Sequence, residues 1–88
     1  MFRKYRLNNH HLQSLTFKGL NKICKRHDIE IGDKDLKIIL RIMQDNPFTV
    51  LNETYNPILF IEITRQTSKT VCNLFKPIVT EHYLINEI

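Results

Sequence analysis

Residues 16–26 can bury only one side of a single helix, and that restriction shapes the rest of the chain. Phe17, Leu20, Ile23 and Cys24 recur at the three- and four-residue steps of an α-helical stripe. Lys18, Lys22, Lys25 and Arg26 fall on the opposite side. Thr16 stands immediately before the stripe, where its hydroxyl can accept a hydrogen bond from a free first-turn amide. A helix with one greasy face needs a neighbour, and the next segment supplies one. Leu36, Ile39, Leu40 and Met43 predict a second helix over 33–44, opened by Gly32 or Asp33. Asp33 and Asp35 lie at the positive end of its dipole. Ile38 and Ile42 lie off that stripe and make a second apolar strip. A helix apolar on two sides is either sandwiched between neighbours or part of an interface.

The other segments read less sharply. Phe2, Tyr5 and Leu12 suggest a helix over 2–13 from which Leu7 departs. In the connection 28–31, Ile29 and Ile31 alternate with acids and are placed to plug the core. Asp45-Asn46-Pro47 stops the helix before it, because proline disfavours α geometry in its predecessor. Phe48, Val50 and Leu51 are then expected to cross back under the core. Asn56-Pro57 suits an N-cap followed by a first helical residue, giving a helix over 57–65. The run Ile58-Leu59-Phe60-Ile61-Glu62-Ile63 would also suit a buried strand, but no second strand exists to satisfy its backbone groups. A last helix opens at Thr67 or Ser68 with the stripe Val71, Leu74, Phe75 and Ile78, and Pro77 is expected to kink or end it. Residues 79–88 read as a further turn of helix or a loose tail. The expected fold is all-α, a compact bundle of four to five short helices with short loops, forming one small domain over residues 1–88. Eighty-eight residues is one core's worth of chain, too short for a doubly wound sheet or an eight-stranded barrel.

Charge is distributed unevenly. Thirteen Lys and Arg against nine Asp and Glu give a formal +4. Arg3, Lys4, Arg6, Lys18, Lys22, Lys25 and Arg26 all fall within residues 1–27, which contain no acid. Residues 28–66 carry Asp28, Glu30, Asp33, Asp35, Asp45, Glu53 and Glu62 against Lys34, Lys37, Arg41 and Arg65. The chain thus joins a basic third to an acidic middle, a layout that suits docking of opposite patches as well as phosphate binding. Cys24 and Cys72, widely spaced and each on an apolar face, read as core residues in a reducing cytoplasm. The basic start is followed by Leu7-Asn8-Asn9-His10-His11, polar where a signal peptide would be apolar, and no run approaches the ~20 residues of a membrane span.

Catalytic chemistry finds little to build on. There is no G-x-S-x-G elbow, and two isolated glycines make no phosphate loop. Cys24-x-x-His27 is one ligand-spaced pair where structural zinc takes four ligands, and His10, His11 and His82 add no second pair. The stretch 28–35 lacks the spacing of a calcium loop. No catalytic residue, metal, cofactor or small-molecule substrate is therefore expected. Leu20, Ile23, Cys24, Leu36, Ile39 and Leu40 imitate a helix-turn-helix pattern, but the turn is too long. Asp33 and Asp35 would also meet the phosphate wall.

Asn8-Asn9-His10-His11-Leu12, Leu15-Thr16, Leu20, His27-Asp28-Ile29-Glu30-Ile31, Leu36–Leu40 and Val71-x-Asn73-Leu74-Phe75 together resemble the YqfT-like family of small Firmicutes proteins. The resemblance spans roughly residues 8–76 and departs at Asn56-Pro57, where the family continues a charged helix. It implies a small cytoplasmic helical protein and transfers no catalytic residue. The expectation from the sequence is a non-enzymatic protein-interaction or self-associating module, a homodimer among its forms, using Ile38, Ile42 and Phe60. The alternative is a nucleic-acid binder using Lys18, Lys22, Lys25 and Arg26 with Arg3, Lys4 and Arg6.

Overall fold

A computed structural model describes residues 8–86, and its elements there are helices joined by short turns, with no strand among the described residues. Asn8 is extended, and its Oδ1 accepts from the His11 amide at 3.0 Å, so α1 (Asn9–Ser14) starts after it. In its described part the helix expected over 2–13 begins one residue later and runs one residue further, and residues 1–7 lie outside the described region. Thr16 caps α2 (Phe17–Arg26) as its position demands: its Oγ1 accepts from the Gly19 amide at 3.0 Å. Leu20, Ile23 and Cys24 are buried.

Helix α2 ends in a Schellman arrangement. Asp28 takes a left-handed backbone (φ 57°), its amide donates to Lys25 O at 3.2 Å, and the Ile29 amide donates to Cys24 O at 2.8 Å. That reversal points the chain back toward the core, where Ile31 is buried and Ile29 half-buried, as their alternation with acids implied.

Helix α3 (Asp33–Asp45) is the hub, touching α1 and α2 as well as α4 (Pro47–Leu51) and α5 (Asn56–Gln66). Its Leu36, Ile39 and Met43 are fully buried. Because neighbours pack on more than one side, its second apolar strip is enclosed too. Ile42 is 3% exposed, and Ile38 is half-buried against the core.

Pro47 ends α3 and also starts α4, since a missing amide is harmless at the first helical position. The expected crossing of Phe48, Val50 and Leu51 under the core is therefore corrected. In a single helical turn only Thr49 and Val50 face inward, and Phe48 and Leu51 face solvent. A 3-10 turn, Glu53–Tyr55, leads into α5.

Residues 58–63 are helical, which decides the helix-or-strand alternative. Asn56 departs from its expected N-cap role. It is the first residue of α5, buried, and its Nδ2 donates to Thr49 O at 2.8 Å, tying α5 to α4. Thr49 Oγ1 in turn donates to Asn46 O at 2.7 Å.

Ser68 caps α6 (Lys69–Thr80), its Oγ accepting from the Val71 amide at 3.1 Å. Pro77 does not end α6, which runs on to Thr80. The carbonyl it leaves without an amide belongs to Asn73, an exposed residue, so the lost bond falls on the solvated side. The stripe also shifts. Cys72 and Val79 join Phe75 and Ile78 in the core, Val71 is half-buried, and Leu74 is exposed. His82 reverses the chain in left-handed geometry (φ 60°), and α7 (Tyr83–Asn86) follows with Leu84 buried. The segment after Pro77 thus runs as helix to Thr80, through an exposed turn at Glu81 and His82, and into a short helix in which Leu84 is buried.

Candidate functional site

The trio Ile38, Ile42 and Phe60 does not form an exposed patch. Ile42 is enclosed by the core, and Ile38 and Phe60 are half-buried against it. Lys76 Nζ lies 5.5 Å above the Phe60 ring, and the Cys72 thiol donates to Phe60 O at 3.3 Å. Phe60 is thus a wall of the α5–α6 seam, where it lines a shallow groove of about 300 Å³ with Ile61, Thr64 and Asn73.

Exposed apolar surface lies instead along α4, the 3-10 turn and α5. Ile61 is 66% exposed, Phe48 53%, Ile58 49% and Tyr55 41%, and Leu51 lies at the edge of the same run. The Phe48 and Tyr55 rings meet edge to face, 5.8 Å between centroids. Ile58 and Ile61 follow Tyr55 at successive steps of three, which places them along one side of α5. The sequence held the signal for this ridge. A helix cannot turn Ile58, Leu59, Phe60, Ile61 and Ile63 all inward, and with Leu59 and Ile63 in the core, Ile58 and Ile61 must face out.

The flank of the ridge carries little net charge. Arg65 Nη2 lies 3.0 Å from Glu62 Oε1, and the Gln66 amide also donates to this carboxylate. The Gln66 and Arg65 hydrogen bonds hold the Glu62 carboxyl below the usual glutamate range.

The basic residues divide. Lys18, Lys22, Lys25 and Arg26 are all exposed on α2, and Arg26 is engaged in a contact of its own. Arg3, Lys4 and Arg6 lie outside the described residues.

The Cys24–His27 pair is pulled apart by packing. Cys24 points into the core, while His27 forms the α2 C-cap and stacks on Tyr83, 3.6 Å between centroids and 2° from parallel. Among the described residues no three His, Cys, Asp or Glu side chains gather as a metal set. His27 Nε2 is buried without a hydrogen-bond partner.

Burial pushes the Cys24 thiol up to about 11 from an ordinary 9.0. In the native state it should therefore react slowly with aromatic disulfide reagents at pH 8, and rapidly once urea unfolds the chain. The raised pKa also fixes a pH dependence. The contribution of the neutral native thiol is complete below about pH 9 and is lost as pH rises toward about 11, because the unfolded thiol ionises first. Urea melts across that window should show a falling midpoint, with a smaller fall in Cys24→Ala.

No helix among the described residues is long and apolar enough to cross a membrane. Compared with protein-family models, curated proteins and solved structures, the chain matches none at a significant level.

Proposed function

We propose that the protein is a non-enzymatic interaction module that pairs with a second copy of itself through the ridge formed by Phe48, Leu51, Tyr55, Ile58 and Ile61. The observation that carries this reading is the exposure of five large apolar side chains along one continuous stretch of a small domain. Lone exposed apolar residues are ordinary, whereas a contiguous set with aromatic members has the composition of an interface core.

Charge favours a second copy as the occupant. Two molecules of formal charge +4 repel unless the surfaces that meet are locally neutral. The segment 47–66 carries Glu53, Glu62 and Arg65, and the last two neutralise each other. An apolar ridge is also self-complementary under a two-fold axis, as a lysine-rich face is not. Buried free cysteines and the resemblance to small YqfT-like proteins accord with a cytoplasmic setting.

Sedimentation velocity tests the reading. The wild-type chain should show a concentration-dependent dimer with a Kd of about 20–50 µM. Ile61→Glu, at a side chain already in water, should weaken it at least ~10-fold by placing like charges in an apolar contact. Leu74→Glu, exposed but outside the ridge, should leave it unchanged. A wild-type chain that stays monomeric at about 200 µM would overturn self-association.

A further inference from the structure

We infer that the outer face of the α2–α3 hairpin is a binding surface for the phosphate backbone of duplex nucleic acid, read without regard to sequence. This inference does not rest on self-association through the α4–α5 ridge.

The sequence places α3 in the acidic part of the chain, yet its acids and bases separate in space. Its exposed side carries Lys34, Lys37 and Arg41, one helical turn apart, with Asp33 and the half-buried Asp35 confined to its first turn and Asp45 at its last residue. On α2 the exposed side carries Lys18, Lys22 and Lys25 and no acid. Two contacts fix how these rows lie. Lys37 Nζ sits 5.1 Å above the Phe17 ring, and Gln44 Nε2 donates to Leu15 O at 2.9 Å. The start of α2 therefore lies beside the part of α3 between Lys37 and Gln44. With the helices antiparallel, Arg41 and Lys37 stand near Lys18, and Lys34 stands toward Lys25.

None of Lys18, Lys22, Lys25, Lys34, Lys37 and Arg41 has a carboxylate within ion-pair distance among the described residues. Each row steps by ~4.5–6 Å along its axis at 1.5 Å per residue. Packed helices stand ~8–10 Å apart, which is comparable with the ~6–12 Å groove widths of a duplex. Long, unpaired cations in two such rows can meet phosphates on both sides of one groove. At the loop end, Asp28, Glu30 and Asp33 gather near Lys25 around one shallow depression, so the backbone is held toward Lys18, Lys22, Lys37 and Arg41.

The face also says what it does not grip. A single strand is held by bases stacking on exposed aromatic rings. The aromatic ring at this seam, Phe17, is half-buried and covered by Lys37. Backbone contact with paired strands remains the chemistry that these side chains provide.

Fluorescence anisotropy of the full chain with a labelled mixed-sequence DNA duplex of about 20 base pairs tests the inference. Binding should appear at about 20 mM salt. Engagement of four cations predicts a log K against log salt slope of about −3 to −4. Lys18→Glu and Lys37→Glu should each weaken binding ~5–10-fold and flatten that slope. Lys69→Glu on α6 makes the same change in net charge, and should cost less than ~2-fold. Far-ultraviolet circular dichroism confirms that each variant is folded. Absence of binding at low salt, equal loss in Lys69→Glu, tighter binding to the single strand than to the duplex, or binding to anionic vesicles without binding to the duplex would each overturn the inference.

Discussion

Phe75→Ala should lower the free energy of unfolding by ~3–5 kcal/mol. That is a large share of the stability a domain of this size has, since one of ~90 residues holds on the order of 5–10 kcal/mol. Phe75 is completely buried in α6, and is the largest of the side chains enclosed by the core. Removing its ring takes away apolar surface from all sides and leaves a cavity. The helices packed on α6, α5 and α7, can close that cavity only by giving up their own contacts. Urea denaturation followed by circular dichroism should show the variant unfolding at a much lower urea concentration than the wild type at about 25 °C. A loss below ~1 kcal/mol would mean that the packing of α6 described above is wrong.

The second large effect is expected at Gln44, a polar residue that secondary-structure patterning passes over. Its Nε2 donates to Leu12 O at 3.1 Å and to Leu15 O at 2.9 Å, the carbonyls at the end of α1. Gln13 answers with its own amide, donating to Gln44 O at 2.7 Å. The Leu12 carbonyl also accepts from the Leu15 amide at 3.2 Å, so the side chain from α3 adds a second bond there and brings a donor to Leu15 O, at an end where a short helix runs out of its own amides. Gln44→Leu keeps the bulk and removes the donor. It should cost ~1–3 kcal/mol, the penalty for stranding partly buried acceptors. Amide hydrogen exchange should quicken in α1 before it does in α5. Unchanged protection of α1 would show that Gln44 does not hold it in place.

Helix positions followed from the sequence where one residue type had one physical use. Thr16 is a cap whose hydroxyl reaches an amide three residues on, and of the two candidates Thr67 and Ser68 it is Ser68 that does the same for α6. The chain reads as all-α, and its described part is so, because 58–63 had no strand to pair with. Where a residue could serve two ends the reading failed. Pro47 stops α3 and equally well starts α4, and taking it only as a stop misplaced Phe48 and Leu51. Asn56 could cap its own helix, or donate to Thr49 across a turn, and tertiary contact chose the second. Ile42 illustrates the remaining difficulty. An apolar strip on a helix shows that something covers it, but not whether the cover is the same chain or another. Here α3 has neighbours on several sides and the same chain covers Ile42, while the run after Pro57 supplies the strip that its own chain leaves open.

The alternative surface, the basic face, was legible only in half. Lys18, Lys22 and Lys25 are a visible row in sequence, whereas Lys34, Lys37 and Arg41 sit among acids that average their charge away. Folding sorts those acids to the helix ends and leaves the cations on the side.

The ridge is the central claim, and an amide-resolved dilution series tests it most directly. Two-dimensional ¹H–¹⁵N spectra of the wild-type chain would be recorded from about 1 mM to about 10 µM, a range that spans the expected Kd. If the ridge joins two copies, resonances of Phe48, Leu51, Tyr55, Ile58 and Ile61 shift together along one binding curve, and those of Lys18, Lys22 and Lys25 stay fixed. Shifts confined to α2, or none anywhere in that range, would contradict it.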